Sequence, residues 1–342
     1  MQIEQQHKHK KQQTITFEFA APFHASLFYA FDLLGAAQLV GRGKQVLEAL
    51  GNKLGEEKLL SIKKSWQAFY GTALSSDDWD KLLTTIYGKQ TRSITNVKNA
   101  IGSATGNPGL AQEITESMRA IDPLIKGDFQ ASSVLSPKLY RNQLEKDAPM
   151  AEIRALLGKF RNFVGEYAEP PTPTIRVVLV WQPETSYTGS SRIYPNTVIL
   201  GENSSAEAPN SAGVLFHEAL HLQFNPFQGK LHEALIKYGF GGKTNRETRQ
   251  LITDFNEGIA YLWHYEYFCT ECLGKNEGRL ESDLQSTNRW NPQHLAYALE
   301  LKPLVDKYRM ENKSMDNKFF STARNLYFQL RTNKPEYFDS PA

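Results

Sequence analysis

Apolar and polar residues alternate through Thr14-Ile-Thr-Phe-Glu-Phe-Ala20, which predicts a half-buried strand closed by Ala21-Pro22. From Phe23 to about Tyr167 the period changes. Apolar residues three and four apart, as in Leu59 to Leu74 and Ile153 to Val164, predict helices, and Gly-Asn-Pro-Gly at 106–109 and Ser136-Pro137 mark breaks between them. The β-branched runs Ile175 to Trp181 and Thr197 to Leu200 predict two more strands, separated by a Gly-Ser-Ser turn region. From Ser211 onward the pattern is helical again.

The closely spaced prolines of Glu169-Pro-Pro-Thr-Pro-Thr174 suit extended backbone and cannot propagate a helix, so they read as a linker. The expected organisation is therefore a basic, glutamine-rich disordered tail (1–13), a mainly helical N-terminal region (14–168) and a second domain (169–342). The fold class expected is α+β, mostly α-helical.

A chain of 342 residues with 40% apolar content can bury a substantial core. Its 39 lysines and arginines against 37 acids give no basic footprint for phosphate, which argues against nucleic acid as a partner. The one charge run, His7-Lys8-His9-Lys10-Lys11, reads as a solvated tail. No uninterrupted apolar stretch approaches the ~20 residues that a bilayer requires, and Glu18, His24 and Asp32 interrupt the stretch Phe17 to Val40, so no membrane association is expected. Cys269 and Cys272 are too few for a disulfide framework, which makes the cytoplasm the expected compartment. Their Cys-x-x-Cys spacing is half of a structural zinc site with no second half, so they read as reduced and partly buried.

The chemistry is concentrated in Val214-Leu-Phe-His-Glu-Ala-Leu-His-Leu-Gln-Phe224, a His-Glu-x-x-His pattern with Ser211 as a plausible helix cap. On an α-helix His217 and His221 stand one turn apart on one face, where both imidazoles reach one metal ion and Glu218 is carried beside it. With 8 histidines in the chain, chance produces this pattern in on the order of one random chain in a hundred. The echo Leu231-His-Glu-Ala-Leu-Ile236 lacks the second histidine, and His232 and Glu233 read as ordinary surface residues.

A catalytic zinc takes three protein ligands and keeps one position open. Glu257, in the apolar helical stretch Asp254-Phe-Asn-Glu-Gly-Ile-Ala-Tyr-Leu-Trp-His264, is the best third ligand, because a buried acid needs a partner. The alternative partner is an arginine, Arg246 or Arg249. Asp254, one turn before Glu257, is placed to orient a liganding histidine, or else it is a solvated helix aspartate.

His217-Glu218-Ala-Leu-His221, followed about 35 residues later by Asn256-Glu257-Gly258-Ile259-Ala260, resembles the gluzincin group of zinc peptidases, which includes thermolysin-like and aminopeptidase N-like enzymes. The resemblance covers roughly residues 192–265. It implies a zincin-like domain with a small sheet and one Zn2+ per chain, held by His217, His221 and Glu257, with Glu218 as general base and a peptide or protein as substrate. It also implies that a strand before the motif helix, here Thr197 to Leu200, forms the edge on which a peptide lies. A tyrosine or histidine would stabilise the oxyanion, with Tyr261, His264, Tyr265, His294 and Tyr297 in competition and Tyr297 favoured. The aminopeptidase branch carries a Gly-x-Met-Glu-Asn string, where this chain offers only Gly201-Glu202-Asn203; an endopeptidase, or an enzyme with a different amine anchor, is expected. A non-catalytic metal-binding scaffold and a hydrolase of non-peptide amides or esters are the competing functions.

Overall fold

Burial along the first strand follows the alternation of its sequence. In β1 (Thr16–Ala20) Phe17 and Phe19 are buried, whereas Thr16 and Glu18 face solvent. The computed structural model describes residues 15–40, 44–88, 93–131, 136–170, 174–181, 188–190, 196–202, 211–274, 280–285 and 292–338. The expected tail, 1–13, with its His7–Lys11 charge run, lies outside them.

After β1 come, among the described residues, eight α-helices: α1 (Phe23–Val40), α2 (Lys44–Leu54), α3 (Glu56–Tyr70), α4 (Ser76–Tyr87), α5 (Ile94–Thr105), α6 (Pro108–Ala131), α7 (Pro137–Asp147) and α8 (Met150–Val164). The breaks expected at 106–109 and at Ser136-Pro137 fall between α5 and α6 and at the start of α7. The strands β2 (Thr174–Trp181), β3 (Thr188–Ser190) and β4 (Thr197–Glu202) follow. Then come α9 (Ser211–His221), α10 (Gly229–Leu235) with a π-helical turn at Ile236–Phe240, and α11 (Asn245–Leu262) with a π-helical segment at Trp263–Phe268. The chain closes with the short α12 (Cys269–Glu271) and α13 (Leu280–Leu284), then α14 (Pro292–Met310) and α15 (Asn317–Asn333). The α+β, mostly helical class is as expected.

The sheet has the order β1-β2-β4-β3, with β1, β2 and β4 parallel and β3 antiparallel to β4. Two expectations are corrected here. Gly189 and Ser190, expected in a turn, belong to β3, and β3 takes the edge position expected of β4, which lies between β2 and β3. The short polar run Thr188-Gly-Ser190 carries no strand signal of its own; it is a strand because β4 offers it a ladder of backbone partners.

The prolines before β2 do not separate two folding units. Parallel neighbours need a crossover, and β1 pairs with β2 from Thr16–Thr174 to Ala20–Val178, so the eight helices of the N-terminal region form the connection between two adjacent strands. As a central strand β2 is apolar nearly throughout, with Ile175, Val177, Val178, Leu179 and Val180 wholly buried. The Trp181 backbone N–H donates to Ser26 Oγ at 2.9 Å, tying the end of β2 to α1. One buried apolar cluster runs from Ile15 to Leu330. On α8, Phe160 packs edge-to-face on Phe224 and Trp263, and Phe163 on Phe319, so residues from both sides of the proline segment share one core. No helix among the described residues is long and apolar enough to cross a membrane.

Phe160 is wholly buried at this junction, and Phe160→Ala is expected to cost about 3–5 kcal/mol through lost burial and the cavity left behind. Urea unfolding followed by both tryptophan fluorescence and far-UV circular dichroism should show one transition, moved to lower urea in the variant. Two separated transitions would contradict a shared core.

Candidate metal centre

Two helices bring the site together. α9 packs against β3, β4, α8 and α11, and its residues from Leu215 to Leu220 are buried, so the His-Glu-x-x-His turn sits inside the structure and not on a solvated face. α11 starts at Thr244, whose side chain accepts from the Glu247 N–H at 3.0 Å. Its apolar face, including Leu251, Ile252, Phe255 and Ile259, is buried.

His217 and His221 Nε2 lie 3.2 Å apart, and Glu257 Oε2 lies 3.4 Å from the first and 3.6 Å from the second. Ligand atoms about 2.0–2.1 Å from a tetrahedral ion are separated from one another by about 3.3–3.4 Å, so these three atoms fit three corners around one ion. Among the described residues they form a cluster able to hold a metal ion. The three side chains are 7–12% exposed, so they are largely buried but not sealed from solvent. Burial opposes ionisation of Glu257, but the two histidines outweigh it and hold its carboxyl well below the usual range. Arg246 and Arg249, the alternative partners, are exposed, and the ion pairs of Glu257 are with the histidines.

Asn256 supplies what the sequence reading sought in Asp254. Its Oδ1 lies 3.1 Å from His221 Nδ1 and can accept the proton there, which turns Nε2 toward Glu257 and, in the neutral ring, leaves Nε2 as the atom that would take a metal. Asn256 is 2% exposed and precedes Glu257 on α11, so one helical stretch delivers both a ligand and the group that orients another ligand. A buried amide in an apolar stretch was the available signal. Asp254 is buried and holds three other groups: Gln250 Nε2 at 2.8 Å, His294 Nε2 at 2.9 Å and Tyr327 Oη at 2.7 Å.

Tyr297, the favoured oxyanion donor, is corrected as well. It is wholly buried, its hydroxyl donates to the Ala323 carbonyl at 2.8 Å, and burial, with Tyr327 and Asp254 nearby, pushes its pKa well above the ordinary tyrosine value. Its ring instead spaces two helices: a Cβ on Gly258 would come 2.9 Å from Tyr297 Cδ1. Two of the other competitors stand directly against His217. The rings of Tyr261 and His264 stand 4.8 and 5.7 Å from that of His217, and Tyr265 stacks on both. Gly213 admits His264, since a Cβ there would meet His264 Nε2 at 2.3 Å.

Glu218 is 9% exposed, and on the helix it lies about 100° around from His217 and about 60° from His221. Of the weaker candidates, His232 Nδ1 lies 3.1 Å from the Pro226 carbonyl and Glu233 is exposed, as expected of the echo. Cys269 and Cys272 are buried thiols, and burial pushes the Cys272 thiol up to about 12. Gly201 and Glu202 end β4, and Asn203 lies outside the described residues.

The chain matches no protein-family model, no curated protein and no solved structure. Its chemistry is therefore read from the site itself.

Loss of the Asn256 contact should weaken metal affinity about 10–100-fold without disturbing the fold. Competitive zinc titration of Asn256→Ala against wild type measures this, with circular dichroism as the control. Affinity in both proteins should fall as pH drops, because the imidazoles must be neutral to bind.

Proposed function

We propose that the protein is a zinc-dependent hydrolase that cleaves amide bonds in peptides or proteins, with His217, His221 and Glu257 as ligands and Glu218 as general base. The observation that carries this reading is the triangle of ligand atoms with edges of 3.2, 3.4 and 3.6 Å. Two imidazoles and one carboxylate are a ligand set that catalytic zinc takes, and three ligands leave a coordination position for reactants. Zinc bound there supplies Lewis acidity, polarising a carbonyl and easing loss of a proton from water.

The residues of the chain do the rest. Asn256 keeps His221 in the tautomer that presents Nε2, and Glu257 adds the negative charge that retains a divalent cation. Glu218 follows His217 on α9 and, among the described residues, is no member of the ligand cluster, so proton transfer is the role assigned to it. It takes the proton from the attacking water and returns it to the departing amine, so the carboxylate is regenerated in each turnover. The resemblance of the two motifs to gluzincins supports peptide bonds as substrate. A base beside the metal site favours catalysis over a scaffold role, which would need the ligands alone.

Glu218→Gln keeps the side-chain shape and removes the basic carboxylate. It is expected to retain one zinc per chain by elemental analysis while hydrolysis of a fluorogenic peptide library falls at least 10²-fold. A variant that lost its zinc would make Glu218 a ligand, and one with full activity would refute its role as base. Wild type that turned over ester or non-peptide amide probes and no peptide would correct the substrate class.

A further inference from the structure

Beside the metal ligands runs a stack of rings that metal binding does not require. Tyr261, His264 and Tyr265 follow Glu257 at i+4, i+7 and i+8, so the three share the helical face of that ligand. His264 lies on Tyr265 at 4.6 Å and 23°, Tyr265 on Tyr261 at 5.7 Å and 17°, and Tyr261 on His294 at 6.1 Å and 29°. Four rings thus lie nearly parallel. His217 meets the stack obliquely, at 56° to Tyr261 and 65° to His264.

Burial separates this face from the core. Ile259, Leu262 and Trp263 on the other side of the helix are wholly buried, whereas Tyr261, His264 and Tyr265 are half-buried. An apolar core face would place leucine or valine at these positions and cover them. Instead, aromatic surface remains accessible next to a metal ligand. Asp254, which binds His294 at the end of the stack, is 1% exposed and already accepts from Tyr327 and Gln250, so it presents no open face to a cationic side chain.

We propose that the Tyr261–His264–Tyr265 face is the side-chain subsite of the metal centre and selects substrates with an aromatic residue next to the cleaved bond. This rests on the hydrolase reading above. A planar side chain gains offset or edge-to-face contact with such rings beyond its simple burial, an advantage of about tenfold over an aliphatic side chain. Tyr265 stacks on both other rings of the face, whereas Tyr261 and His264 themselves stand against His217, so Tyr265 is the position to change.

The test uses the zinc-loaded full chain and isothermal titration with four metal-binding probes: acetohydroxamate and the hydroxamates of N-acetyl-phenylalanine, N-acetyl-leucine and N-acetyl-arginine. The phenylalanine probe should bind about tenfold tighter than the leucine and arginine probes. That ratio should fall to about twofold or less in Tyr265→Ala and persist in Tyr265→Phe, with zinc content checked in each. If Tyr265→Ala does not fold, Tyr265→Leu, which keeps apolar bulk without the ring, should lose the preference in the same way. Equal affinities in wild type, a preference for arginine, or an undiminished ratio in a zinc-retaining Ala or Leu variant would overturn the subsite; acetohydroxamate binding with retained zinc would then leave the hydrolase reading standing. Wild type that neither retained zinc nor bound acetohydroxamate would overturn the hydrolase reading and the subsite with it.

Discussion

Three lone-pair-bearing atoms held within 3.6 Å of one another at a buried site repel unless a cation or shared protons lie between them. Much of the C-terminal half is arranged to hold them there. The position of each ligand is set by a helix whose other faces are committed to packing: α9 against the sheet and α8, α11 against α14. The two helices cannot move apart to relieve the crowding without opening that core. An ion bound there would neutralise the cluster and so stabilise the packing that creates it.

Small residues set the separations. Gly258, next to Glu257, lets the Tyr297 ring approach α11, and Gly213, one turn before His217, lets His264 approach α9. Any side chain at either position would push apart elements that carry ligands or their neighbours. A hydrogen-bonded set inside the same bundle adds direction to this packing. Asp254 draws together α11, α14 and α15 through Gln250, His294 and Tyr327, a buried carboxylate whose lone pairs are met by three donors. Such a network is costly to break, and it fixes the angle at which α11 presents Asn256 and Glu257.

The N-terminal helices contribute differently. Since β1 and β2 are parallel neighbours, everything between them is one long crossover, and its packing decides whether the sheet forms. α8 then carries Phe160 and Phe163 into the aromatic cluster around Trp263, on the far side of the helix that bears Glu257. Substitutions in the helical region can thus reach the metal centre through packing alone.

Local regularities were legible in the sequence. The alternation of β1, the apolar run of β2, the helical periods of α3 and α8, and the spacing of His217, Glu218 and His221 each depend on residues a few positions apart, where backbone geometry alone relates side chains. Glu257 was legible too, because an acid in an apolar helix needs a partner. What depends on distant segments was not. β3 is a strand only because β4 lies beside it, and only the pairing of β2 with β1 shows that the proline-rich stretch of the sequence divides no core. Asp254, Asn256 and Tyr297 are residues of equally plausible chemistry in the sequence. Which of them touches a ligand was decided by the rotation of α11 and by the approach of α14 and α15, because a helix places its side chains by angle and only tertiary packing sets what each angle faces.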